Sequence, residues 1–96
     1  MYTVIRRYEG VTDTAEVARR ATEGFGPLLS GRPGFNGYWV VDTGNGVLAT
    51  ITVFESREEA EATTQDAAEW VRENNLGELA PNPPQVTAGE TTGVQG

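Results

Sequence analysis

The chain reads as a single α+β domain in which one antiparallel sheet of four strands carries two helices on the same side. Three features predict this class. Residues 2–8, 34–55 and 85–92 are rich in β-branched and aromatic side chains. Residues 14–29 and 57–75 instead repeat apolar or small positions every three to four residues, the period of a helix. Asn45-Gly46 interrupts the second β-rich stretch, and that dipeptide is a strong hairpin signal because both residues tolerate positive φ. The order of elements is therefore β-α-β-β-α-β.

In the first strand Tyr2, Val4, Arg6 and Tyr8 alternate with Thr3, Ile5 and Arg7, so the two consecutive arginines point to opposite faces. After a break at Gly10, Asp13-Thr14-Ala15-Glu16 has the acidic form of a capping box, in which a carboxylate accepts the free N–H groups of a first helical turn. The helix it opens places Val17, Ala18, Ala21, Phe25, Leu28 and Leu29 on one face. Glu16, Arg19, Arg20 and Glu23 lie opposite, with Glu16 and Arg20 a favourable i,i+4 pair. Pro27 cannot donate a helical hydrogen bond, so a kink or restart is expected at Gly26-Pro27.

Gly31-Arg32-Pro33-Gly34 leads into the hairpin. A loop of two or of four residues gives one face assignment: Phe35, Trp39, Val41, Leu48, Thr50, Thr52 and Phe54 on one side, Tyr38, Val40, Ala49, Ile51 and Val53 on the other. Both faces are largely apolar, which calls for cover on both. Ser56-Arg57-Glu58-Glu59 is a second capping box, and it starts a helix running to about residue 75. Ala60, Thr63, Thr64, Ala67, Val71 and Asn74 form its inner stripe, with Trp70 at the edge. Glu58, Glu59, Glu61, Asp66, Glu69 and Glu73 spread along the outer, solvated side. Gly77 is a stop, Pro81, Pro83 and Pro84 stiffen the connection, residues 85–92 form the last strand, and residues 93–96 are a frayed tail.

Two right-handed β-α-β crossovers give this order one dominant solution, the ferredoxin-like βαββαβ fold with the first and third strands central. The helices cover one face only, whereas the hairpin is apolar on both. A second subunit is expected to cover the other, making a homodimer through the sheet face.

Composition removes several kinds of chemistry. The 96 residues make one domain, which buries roughly 60–65% of its unfolded surface. There is no cysteine and no histidine, so thiol nucleophiles, imidazole bases, zinc–thiolate sites and histidine-ligated haem are all excluded. All seven basic residues are arginines, and against fourteen acids they leave a net charge of −7, which disfavours nucleic acid. No apolar run is long enough for a membrane span and the start lacks a signal-peptide pattern, so a cytoplasmic protein is the default expectation. No spacing of carboxylates suggests a metal site.

The placement of Pro33-Gly34-Phe35, Tyr38, Val53-Phe54-Glu55-Ser56, the alanine-rich helix with Ala60, and Gly89-Glu90 resembles the antibiotic biosynthesis monooxygenase (ABM)-like family over roughly residues 2–92. The resemblance implies a single domain over residues 1–96, a dimeric α+β barrel and a cavity between sheet and helices. Members include cofactor-free oxygenases acting on polyaromatic phenols, haem-degrading enzymes and domains without an assigned activity, and for this chain no cofactor is expected. The haem-degrading branch needs a helix histidine and a first-strand asparagine. This chain has no histidine, and Val4, Ile5, Arg6 and Arg7 stand where that asparagine would be. The quinone-forming branch uses an asparagine, a tryptophan and a tyrosine. Asn36, Trp39, Tyr38, Trp70 and Tyr8 are present but do not align onto that motif position by position, so no catalytic residue is carried over.

The residues with chemistry to offer are Arg6, Arg7, Tyr8, Tyr38, Trp39, Trp70 and Asn74. Arg6 or Arg7 could hold a carboxylate or phenolate through a bidentate pair, or be matched internally by Glu55 or Glu90. Trp39 and Trp70 offer flat apolar surface for a polycyclic ligand, or simply core and flank packing. Tyr8 and Tyr38 could donate phenolic hydrogen bonds to a ligand, or to backbone and water. Asn74 turns inward and needs a partner, for which a helix-terminal carbonyl would serve. These residues suit a small homodimeric domain binding an aromatic or acidic ligand, or a cofactor-independent monooxygenase acting on a polycyclic phenol. The competing expectation is a non-catalytic module whose cleft is filled by its own side chains. The volume and lining of that cleft separate them.

Overall fold

The computed structural model describes residues 1–95; Gly96, the end of the expected frayed tail, lies outside the described residues. Strand β1 (Tyr2–Tyr8) is followed by helix α1 (Thr14–Arg20), a π-helical turn (Ala21–Phe25) and helix α2 (Gly26–Ser30). The hairpin is β2 (Phe35–Gly44) and β3 (Val47–Phe54). Helix α3 (Arg57–Glu73), a 3-10 turn (Leu76–Glu78) and strand β4 (Gln85–Glu90) complete the chain. The strands form one antiparallel sheet in the order β2-β3-β1-β4, the ferredoxin-like arrangement with the first and third strands central.

Helices α1 and α3 both carry the expected N-cap side-chain bond. The Asp13 carboxylate accepts from the Glu16 N–H at 3.1 Å, and Ser56 Oγ accepts from the Glu59 N–H at 3.2 Å while donating to the Glu59 carboxylate at 2.9 Å. The irregularity expected at Gly26-Pro27 is the widened turn just before it, where the Gly26 N–H reaches back to the Ala21 carbonyl. A proline ring conflicts with the carbonyl four residues back, here Glu23, which lies inside that turn.

The hairpin turn is as expected: Asn45 and Gly46 have φ of 56° and 75°. The faces of β2 are not. Gly44 pairs with Val47 but Asp42 pairs with Leu48, so Thr43 is an extra residue, and every residue before it shifts by one. The Gly44 N–H donates to Asp42 Oδ1 at 2.9 Å and Gly44 takes φ 88°, which stabilises the bulge. Tyr38 and Val40 therefore join Leu48, Thr50 and Thr52 on the helix side, while Trp39 and Val41 move to the opposite face, where Trp39 is 53% exposed. A second irregularity between Phe35 and Gly37 returns Phe35 to the side of Phe54, and the two rings meet edge to face.

One core cluster joins Val4, Phe25, Leu29, Phe54 and Ala60 between sheet and helices; another, around Val11, Val17 and Leu48, sits under α1. Ala60 and Thr63 are fully enclosed, which seats the N-terminal half of α3 directly on the sheet. Asp66 is not solvated as expected: it is largely buried and pairs with Arg32 at 2.5 Å, tying α3 to the segment after α2. The face of the sheet turned away from the helices carries Ile5, Trp39 and Val41 exposed, beside Ala49, Ile51 and Val53. Among the described residues no helix is long and apolar enough to cross a membrane.

Candidate functional site

On β1 the alternation resolves with Val4 and Arg6 buried on the helix side and Ile5 and Arg7 exposed on the other. Arg6 and Tyr8 thus face the C-terminal half of α3. There the inner stripe consists of Thr64, Ala67 and Val71, residues too small to fill the space above the sheet. What remains is a groove of about 520 Å3, walled by Arg6, Tyr8, Val86 of β4, that α3 stripe and the proline-rich segment 80–84. A recess of about 40 Å3 shares Arg6, Tyr8, Ala67 and Val71 with the groove and extends toward Phe25, Tyr38 and Trp70.

The recess is an aromatic corner. Phe25 meets Tyr38 edge to face at 5.8 Å and Trp70 at 5.5 Å, so the π-helical turn, β2 and α3 each contribute one ring. Gly24 permits this approach, because a side chain there would press on the Trp70 indole. Burial pushes the Tyr8 phenol above its usual range, with the Arg6 charge opposing it. Tyr38 is raised further, by burial and then by Tyr8, again against Arg6. Both phenols are neutral donors at physiological pH.

Arg6 is 5% exposed, and its Nη2 donates one long hydrogen bond, 3.4 Å, to Thr64 Oγ1. Neither of the pairings considered from sequence forms: Glu90 faces the N-terminal amine at 3.9 Å, and Arg6 has no acidic partner among the described residues. No aspartate or glutamate lines the groove or the recess. The site therefore offers a cation, phenolic donors and aromatic walls, but no carboxylate or imidazole base. Among the described residues no group of acids is placed to hold a metal ion.

Of the residues singled out from sequence, Arg6, Tyr8, Tyr38 and Trp70 come together at the recess. Three do not. Arg7 is exposed on the far face and pairs with Glu9. Trp39 lies on that same face because of the Thr43 bulge. Asn74 caps α3, its amide donating to the Trp70 carbonyl at 2.9 Å. From sequence alone Phe25 reads as core and the prolines as a connection, yet both line the site. The spacing of Phe25 from Ala21 and the small residues of α3 are the available signals.

No protein-family model matches the chain, and no curated protein matches it. Solved structures do. A Nitrosomonas europaea protein named for the antibiotic biosynthesis monooxygenases superposes with TM-score 0.74 at 15% identity, covering 94% of this chain and 88% of that one. A monooxygenase of Streptomyces coelicolor, solved with nanaomycin D, gives 0.75 at 17%, covering 98% and 89%. The chain has the ABM-like fold. A third ABM-like structure, a mutant form of the cofactor-independent oxygenase SnoaB of Streptomyces nogalater, gives 0.73 at 12%, covering 97% and 94%. At these identities the likeness concerns the backbone, and the side chains of the groove are this chain's own.

Proposed function

We propose that this chain is a homodimeric ABM-like domain that binds a small, flat, mainly apolar molecule in the groove beside α3. The observation that carries this reading is the unfilled groove of about 520 Å3 leading into a recess walled by Phe25, Tyr38 and Trp70. A module packed with its own side chains would have no such space, and ligand sites are typically concave, apolar and fitted with a few polar groups. The dimer is supported by the bare sheet face. In a chain of net charge −7, the strand residues on that face include no acid, so a like-charged second copy can approach there. Arg6, Tyr8, Tyr38 and Trp70 are the ligand-facing residues of this reading, with Arg7, Trp39 and Asn74 outside the groove.

A second reading is a cofactor-independent monooxygenase acting on a polycyclic phenol. It is favoured by the oxygenases among the solved structures that share this fold. The test of both is tryptophan fluorescence titration with anthrone-type phenols, paired with oxygen-electrode measurements on the same solutions. Saturable quenching that Trp70→Ala abolishes supports binding in the groove at the mouth of the recess. Oxygen uptake that also depends on Trp70 supports the monooxygenase. Uptake undiminished in both Arg6→Ala and Trp70→Ala would place the reaction elsewhere.

A further inference from the structure

Arg6 is an unusual group to leave in the wall of an apolar groove. Burying a guanidinium is costly unless its charge and its N–H donors are matched. This chain has twice as many acids as arginines, and Arg7, Arg19, Arg20, Arg32 and Arg57 all find one. Arg6, at 5% exposure, finds only the Thr64 hydroxyl at the long distance of 3.4 Å, in a groove with no acidic residue. Most of its donors thus have no protein partner and open onto the space where groove and recess meet.

We infer that the ligand of the groove carries a carboxylate on its flat apolar body, and that Arg6 is the residue that selects for it. The inference rests on the binding reading above and adds the charge. A planar guanidinium offers a two-pronged donor that matches the two oxygens of a carboxylate, whereas a phenolate presents one oxygen. With the carboxylate at Arg6, the ring system of the ligand lies outward along Val71 and Val86 in the groove of about 520 Å3, because the recess of about 40 Å3 is too small for it. The acid-free lining leaves the bound charge with no like neighbour to repel it.

The experiment uses the whole protein and three probes of one shape: anthracene-2-carboxylate, 2-anthrol and anthracene-2-methanol, titrated by fluorescence and calorimetry. Wild type is expected to bind the carboxylate about tenfold or more tightly than the alcohol, the size of a charge-assisted hydrogen bond. Arg6→Met, which keeps the bulk of the side chain, should bring the two within about twofold while the alcohol's affinity holds, and Arg6→Lys should keep part of the preference. The ligand-free Arg6→Met protein should melt no lower than wild type, since it gives up no ion pair and keeps the buried stem; a merely structural arginine would give the opposite sign. Equal binding of carboxylate and alcohol by wild type, or a preference that survives Arg6→Met, overturns the inference and leaves the groove as a binding site. Preference for the anthrol, with the red-shifted phenolate band appearing on binding, overturns the carboxylate in favour of a phenolate. If none of the three probes binds, the inference and the binding reading fall together.

Discussion

Phe25 belongs to two structures at once. It is a member of the main core cluster and also a wall of the recess, held between Tyr38 and Trp70. Truncating such a ring costs about 3–5 kcal/mol, a large share of the roughly 5–15 kcal/mol that holds a domain folded. Phe25→Ala should therefore shift the urea midpoint sharply downward, while Phe25→Leu folds with a smaller loss and a wider recess. The phenols next to it make a pH prediction. Tyr8 and Tyr38 have folded-state pKa values raised above their ordinary 10. Their contribution to stability is complete below about pH 10 and is lost as the pH rises, because the unfolded chain releases those protons first. Urea midpoints measured upward from pH 9 should fall, and fall less steeply in Tyr38→Phe.

At the scale of elements, the bulge at Thr43 decides which side chains of β2 face the helices, and so puts Tyr38 at the recess. Its flanking pairs, Gly44 with Val47 and Asp42 with Leu48, would be adjacent rungs of a regular ladder without it. Deleting Thr43 should therefore be tolerated at a cost of about 1–2 kcal/mol, whereas deleting Val41 reverses the faces of Tyr38, Trp39 and Val40 and should abolish cooperative unfolding. Circular dichroism melts of the two deletions check this. The same bulge marks the limit of what the sequence discloses. Strands, helices, caps and the Asn45-Gly46 turn are local matters, legible in spacing and turn chemistry. The bulge depends on Asp42, whose carboxyl is held below its usual range by Thr14 at the start of α1 and by the Gly44 N–H, a contact across the fold. Gly44 ahead of Asn45-Gly46 is the one local hint. Alternation likewise shows that Arg6 and Arg7 oppose each other, but which one turns inward is settled only when the helices choose a side of the sheet.

For the whole molecule, the bare sheet face makes the strongest claim. Sedimentation equilibrium should find a species of twice the 10.3 kDa chain mass. Trp39→Asp combined with Val41→Asp, which puts two carboxylates on the exposed part of that face, should give a folded monomer with an unchanged groove. Wild type sedimenting as a single chain at micromolar concentration would remove the dimer from the proposed function and leave ligand binding to stand alone.

The irregular β2 has one more consequence. As an outer member of the sheet it presents a row of unpaired amides and carbonyls to solvent, the kind of margin onto which foreign strands add. Bulges near both ends of its ten residues twist that margin, while β4 at the other border is short and preceded by prolines. The device that turns Tyr38 toward the recess thus also disfavours the addition of a foreign strand at that margin.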